Sequence, residues 1–304
     1  MEPTFPLLRL PENVIVQVLQ NTNPSQLLIF SLASSKTKNL VIALGLKANV
    51  HISISYSISL NVNIGRFGWN LVFSNNSNDQ NAEFDITRPI SASCQCLNKP
   101  FQPSTSFNFS DWLDHIRTVF CYTKPIDVFL FHGSERFEME SLKNTLKNVN
   151  SLTICRGVTD IQSKLILKHF KDLNELRLNC NPFEDICDVR KFFIQNFEYI
   201  YFEDVYSLDD MLLVNSEKHW IRGSNPRLQR MSLSINNSGS VSREMLLKGI
   251  DCVDVGEEEQ EKICQEHKIV SDYMVEIRRK GGAPAVIATK EFENILYICF
   301  IAVH

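Results

Sequence analysis

A six-residue pattern that recurs five times in the middle of the chain constrains the fold more than any other feature. "IDVFLF", "VNSLTI", "LNELRL", "FEYIYF" and "LQRMSL" all read apolar-x-x-apolar-x-apolar. They begin at residues 126, 149, 173, 197 and 228, so successive starts differ by 23, 24, 24 and 31 residues. Between them lie helix-like stretches such as "DIQSKLILKHFKDL" and "DICDVRKFFIQNF". The order is therefore strand, helix, strand, helix. Two architectures have this rhythm. One is a degenerate leucine-rich-repeat-like array, with Asn181 and Asn236 at the position after the strand where such repeats often place Asn. The other is an ordinary α/β sheet of the same period. In the repeat, side chains alternating with the core positions point out of a concave sheet. These are Val128, Leu130, Ser151, Thr153, Glu175, Arg177, Tyr199, Tyr201, Arg230 and Ser232.

The flanks read differently. From Val50 to Ile64 apolar residues alternate with His, Ser and Asn, the period of a long strand or a hairpin, and "GWNLVFS" continues it. A polar loop "NNSNDQN" follows, then a strand near Phe84 to Ile86 and a Pro-containing connector, after which Ser110 is expected to cap the helix "DWLDHIRTVF". At the far end "GEEEQEKICQEH" predicts a helix with acidic residues at its N-terminus. The segments "YMVEIRRK" and "AVIAT", joined by "GGAP", predict a hairpin before the closing strand "ILYICFIAV".

At 304 residues, with 44% hydrophobic and 22% charged side chains, the chain has the make-up of a globular protein of one large or two modest domains. A formal charge of −4 gives no general attraction to nucleic acid or anionic lipid. The opening lacks a basic leader and no run approaches a membrane span, so a cytoplasmic or nuclear protein is expected. The nine cysteines follow no regular framework and read as free thiols. Cys94 and Cys96 lack a second pair at zinc spacing, and "KGGAP" fits a hairpin turn better than a phosphate loop. No catalytic residue, metal or cofactor is expected. Trp69, Trp112 and Trp220 read as core residues first and recognition anchors second.

The first few dozen residues carry three short helical signals. Leu10-Pro11 precedes Val14, Ile15, Val18 and Leu19; Asn23-Pro24 precedes Leu27, Leu28 and Leu32; Ser34-Ser35-Lys36 opens a third helix that stops at Gly45. Three helices in so short a span lie at the edge of independent folding and should lean on a partner or on the rest of the chain. This pattern resembles an F-box at about residues 5 to 46. "HWIRGSNPRLQRMSL" and "EIRRKGGAPAVI" are similar to the type 2 F-box-associated region of the large nematode F-box family.

The resemblance implies an F-box at 1–46, a β-rich connecting segment at 47–106 and a repeat-like, substrate-binding region at 107–304. It implies a non-catalytic subunit of a Skp/cullin/F-box ubiquitin ligase. Leu10, Pro11, Val14, Ile15, Val18, Leu19, Pro24, Leu27 and Leu28 would meet the Skp adaptor, and through it a cullin. Glu175, Arg177, Tyr199, Tyr201 and Arg230 would meet a protein substrate. The competing readings are a repeat-type interaction module outside any ligase, and an enzyme whose site assembles only in space.

Overall fold

Local chemistry sets the ends of the N-terminal helices. A 3-10 turn, Leu7–Arg9, leads to Pro11, which takes the N-cap of α1 (Glu12–Gln20). Asn23 caps α2 (Pro24–Ser31), its side chain accepting from the Ser25 N–H at 3.0 Å, with Pro24 at the first helical position. Ser34 and Thr37 cap α3 (Ser35–Ile42) reciprocally. The computed structural model describes residues 7–74, 84–94, 99–101, 105–180, 182–183, 196–205, 220–223, 225–236 and 246–303. The chain forms two compact units, Met1–Asn148 and Val149–His304.

In the first unit the alternating segment folds as β1 (Asn49–Ile54) and β2 (Ile58–Ile64) around a turn at Ser55–Ser57, followed by β3 (Phe67–Phe73), all antiparallel. Two short strands, β4 (Ala92–Cys94) and β5 (Lys99–Phe101), extend the sheet. β6 (Ile126–Leu130) joins parallel to β1, giving the order β6-β1-β2-β3-β4-β5. The buried face of this sheet packs on α4 (Phe109–Val119): the Phe73 ring meets Phe109 and Trp112 edge-on at 5.3 and 5.8 Å. A short helix, α5 (Met139–Thr145), completes the unit.

Three places in this unit depart from the sequence expectation. Asn108, not Ser110, caps α4, because Asp111 three residues on returns the hydrogen bond to the Asn108 N–H and completes a capping box. Residues 84–86 form no strand, although Phe84 and Ile86 are buried. Val128 and Leu130 point into the core rather than outward, since β6 buries Ile126, Val128 and Leu130 and leaves Asp127 and Phe129 on its other face.

The second unit holds four consecutive parallel strands, β7 (Val149–Ile154), β8 (Glu175–Leu178), β9 (Tyr199–Val205) and β10 (Arg230–Asn236). The helix α6 (Asp160–His169) lies between the first two in the chain. β10 then pairs antiparallel with β14 (Ile295–Ala302), followed in the sheet by β13 (Pro284–Phe292), β12 (Tyr273–Arg278) and β11 (Cys252–Asp254). One further helix, α7 (Glu257–His267), packs Ile263 and Cys264 against Met274, Val286, Ala288 and Ile301. The fold is therefore mixed α/β, with N-terminal helices ahead of extensive sheet. The parallel strands match the strand and helix rhythm of the sequence. They do not establish a leucine-rich-repeat-like array, because any α/β sheet has the same ladder and this one turns antiparallel after β10. Asn181 and residues 185–195 of the second helical candidate lie outside the described residues, as does the Asn236 side chain.

One buried polar contact ties the N-terminal helices to the rest of the first unit. The Ser31 hydroxyl donates to the Leu28 carbonyl at 2.6 Å and lies 2.8 Å from His115 Nε2 on α4. A serine has one hydroxyl proton, so the imidazole donates from Nε2 and is the neutral Nε2–H tautomer. Burial, and then the Lys38 charge, push the His115 pKa down from 6.5 to about 4. An unfolded chain protonates this histidine near 6.5, so its neutral burial costs nothing above that pH and destabilises the fold progressively as pH falls towards 4. The expected loss between pH 7 and pH 5 is about 2 kcal/mol. Urea titrations at the two pH values test it. His115→Gln should show a smaller difference than the parent, and an equal difference in the two proteins would reject the assignment.

Candidate functional site

Two surfaces gather the residues to which the sequence points, one in each unit. On α1 the apolar residues divide by helical geometry. Ile15 and Leu19, four apart, are buried, whereas Pro11, Val14 and Val18 fall at i, i+3 and i+7 on a second stripe. Val18 is 43% exposed and Leu8, just before the helix, 41%. Pro11 is exposed, while Leu10 and Val14 are half-buried. Pro24, Leu27 and Leu28 on α2 are buried, the two leucines at 1% exposure. The nine residues grouped by sequence thus include five that build the unit's own core, Ile15, Leu19, Pro24, Leu27 and Leu28. Four remain at the surface, Leu10, Pro11, Val14 and Val18, and Leu8, which no sequence signal singled out, adds to their apolar area.

In the second unit, strand register assembles the other group. Cross-strand pairing lines up Ser151, Glu175, Tyr199 and Arg230 in one row and Thr153, Arg177, Tyr201, Ser232 and Cys299 in the next. Adjacent strands lie about 4.8 Å apart, so Glu175, Arg177, Tyr199, Tyr201 and Arg230 occupy one small patch. Within it Glu175 and Arg177 form an ion pair at 2.6 Å, and the Arg177 guanidinium sits 4.3 Å from the centre of the Tyr201 ring. Burial raises the Tyr201 pKa. The Tyr199 hydroxyl donates to Gln229 Oε1 at 2.8 Å. Ser151 and Thr153 share this face but are buried.

The patch continues into a cavity of about 460 Å³ floored by Tyr201, Ser232 and Cys299. Helix α7 covers the β12–β14 side of the face and ends at His267, where the Arg230 Nη1 donates to the His267 carbonyl at 3.3 Å. That is favourable placement for a cation at a helix C-terminus. The stretch Lys268–Val270 beyond α7 and the residues Lys290, Phe292 and Tyr297 complete the walls. None of these was singled out in the sequence, because they come together only through the antiparallel return of β13 and β14. The available signal was the outward parity of Tyr297 between buried Leu296 and Ile298.

The distinctive loop around Trp220 is structural in its described part. Trp220 is buried against Phe300 at 4.9 Å, the Arg279 guanidinium lies 5.6 Å from its ring centre, and the Lys280 N–H donates to the Ile221 carbonyl at 2.8 Å. Two distant motifs, at 220–228 and 276–284, thus pack together. Arg227 donates to Asn174 and Glu198, fixing the loop to the starts of β8 and β9. Trp69 and Trp112 are buried as well. Burial, then the Glu203 charge, lift the Cys155 thiol to about 11, which makes it a poor nucleophile. Among the described residues no three His, Cys, Asp or Glu side chains are placed to hold a metal ion, and no helix is long and apolar enough to cross a membrane.

Residues 7–49 match the family model described as F-box domain, and residues 188–233 match that described as F-box associated. The first match spans the three N-terminal helices and the start of β1. The described part of the second holds β9, Trp220, the Arg227 loop and the first half of β10. No curated protein and no solved structure matches the chain. The matches support an F-box protein with an F-box-associated region, a kind of protein that in general serves as a substrate-recognition subunit and is typically non-catalytic.

Proposed function

We propose that this chain is the substrate receptor of a Skp/cullin/F-box-type ubiquitin ligase, of the sort carried by the nematode F-box family. Residues 1–46 dock on the Skp adaptor, 47–106 connect, and 107–304 hold a protein substrate in the cytoplasm or nucleus. The mechanism is positional: a substrate held in the same assembly as a ubiquitin-charged enzyme meets it at high effective concentration. The carrying observation is the F-box match at residues 7–49, whose first helix keeps an apolar stripe at the surface while its second is consumed by the core. F-box domains in general bind Skp-type adaptors and through them a cullin. Leu8, Leu10, Pro11, Val14 and Val18 are the residues available for that contact, and Glu175, Arg177, Tyr199, Tyr201 and Arg230 are those proposed for substrate.

Co-expression with a Skp adaptor followed by size-exclusion chromatography tests the reading. The full chain should co-elute with the adaptor, and Val18→Asp should weaken binding at least tenfold, since an unpaired charge is then desolvated in an apolar contact. The variant should melt like the parent, because Val18 contributes little to the core. Separate elution of a folded full chain would overturn the ligase assignment and leave a protein-interaction module outside a ligase as the better account.

A further inference from the structure

We propose that the cavity beside Tyr201 and Arg230 is a pocket for an acidic protein segment that presents one bulky apolar side chain. The inference deepens the receptor reading above and rests on it, naming the class of substrate segment that the sheet face would take.

Three cations, Arg230, Lys268 and Lys290, line the cavity and, among the described residues, no carboxylate does. Lys290 is offset by Asp272 at 3.4 Å. Arg230 and Lys268 have no ion-pair partner among the described residues. A guanidinium carries five N–H donors, and the contacts Arg230 makes are to Ser232 Oγ at 3.4 Å and the His267 carbonyl at 3.3 Å, both neutral. A carboxylate entering here would gain charge-assisted hydrogen bonds.

Shape and polarity point to the same occupant. Val270, Phe292 and Tyr297 border the same cavity at 70%, 55% and 41% exposure, although large apolar side chains are ordinarily withdrawn from water. A volume of about 460 Å³ is within the range that encloses a small ligand and admits one large side chain with its flanking backbone. A rim of cations around exposed aromatics calls for an apolar group flanked by acids. Nucleic acid is the poorer fit, since the chain carries a net charge of −4 and this surface offers three cations rather than a basic track.

Fluorescence anisotropy on the purified full chain tests the pocket. The probe is a labelled nonapeptide with a central phenylalanine between paired aspartates in a glycine and serine background. Two controls replace the aspartates by asparagine or the phenylalanine by alanine. The acidic probe should bind with Kd of the order of ~10–100 μM, each control at least tenfold more weakly, and the acidic probe should lose affinity between about 50 and 500 mM salt. Lys268→Glu, on an exposed side chain that need not disturb folding, should weaken binding at least tenfold while leaving adaptor co-elution and thermal stability unchanged. Val270→Asp should do the same. Failure of the probe to bind below about 1 mM, equal binding of the asparagine control, indifference to Lys268→Glu, or tighter binding of a nine-nucleotide single strand would each overturn the proposal. A chain that holds the adaptor but ignores the peptide removes the pocket alone, and one that binds the peptide without the adaptor removes the ligase reading while leaving the pocket.

Discussion

Leu28→Asp is expected to abolish cooperative folding of the first unit. Leu28, like Leu27, is 1% exposed in the second helix, and its carbonyl accepts from the Ser31 hydroxyl that meets His115. Truncating such a leucine costs roughly 2–5 kcal/mol in lost packing, and a carboxylate left there without a partner adds several more or takes up a proton to avoid them. The sum rivals the roughly 5–15 kcal/mol that holds a typical domain together. Urea denaturation followed by circular dichroism should show no transition for the first unit, or a protein that is insoluble on expression. A parent-like transition would mean that Leu28 is not where the structure puts it. This outcome also decides how adaptor binding can be tested. A pull-down lost with Leu28→Asp reports collapse of the fold, whereas one lost with Val18→Asp reports the contact itself.

The second large effect is expected at Trp112. Its side chain is fully buried, its indole N–H donates to the Ile90 carbonyl at 3.0 Å, and its ring packs edge-on against Phe73 and Phe107 at 5.8 and 5.4 Å. Trp112→Ala removes the ring and strands the carbonyl, at an expected cost of about 3–5 kcal/mol. Trp112→Phe keeps most of the ring and loses the donor, and should cost less than half as much. For a unit of this size the alanine variant should lower Tm by roughly 6–20 °C, readable by differential scanning calorimetry. Equal Tm values for the two variants would show that the hydrogen bond, not the ring, dominates.

How much of this was legible in the sequence depended on whether neighbours along the chain or neighbours in space decide a residue's role. Strand positions in the second unit were legible because each hexad carries its own alternation, which is why Glu175, Arg177, Tyr199, Tyr201 and Arg230 arrive on one face with no long-range information. In "IDVFLF" the hexad template misled: it set Phe129 and Phe131 inward, whereas the one polar residue of the run, Asp127, marks the outward parity and leaves Ile126, Val128 and Leu130 buried. The cap of α4 was readable in principle from Asn108 and Asp111 at N-cap and N3 spacing, but Ser110 competes as an equally good capping residue type. The nine apolar residues of the N-terminal helices were undivided because core and contact surface draw on the same amino acids. What separates Leu28 from Val18 is the packing of α2 on α3 and on α4, the latter more than eighty residues further on. The cavity walls at 268–270 and 290–297 were illegible for the same reason, being joined only when β14 pairs back onto β10.

The buried Ser31–His115 contact has a consequence for synthesis. The N-terminal helices are complete once residue 42 has been made, but the surface that covers α2 and α3 is supplied by α4, which ends at Val119. At ~5–20 residues per second, the intervening stretch of about 80 residues takes on the order of 4–16 s. For those seconds the nascent chain carries both faces of its helices uncovered, the one it will bury and the one it will keep, and a chaperone or an adaptor meeting the chain at the ribosome would find more apolar surface than the finished protein ever shows.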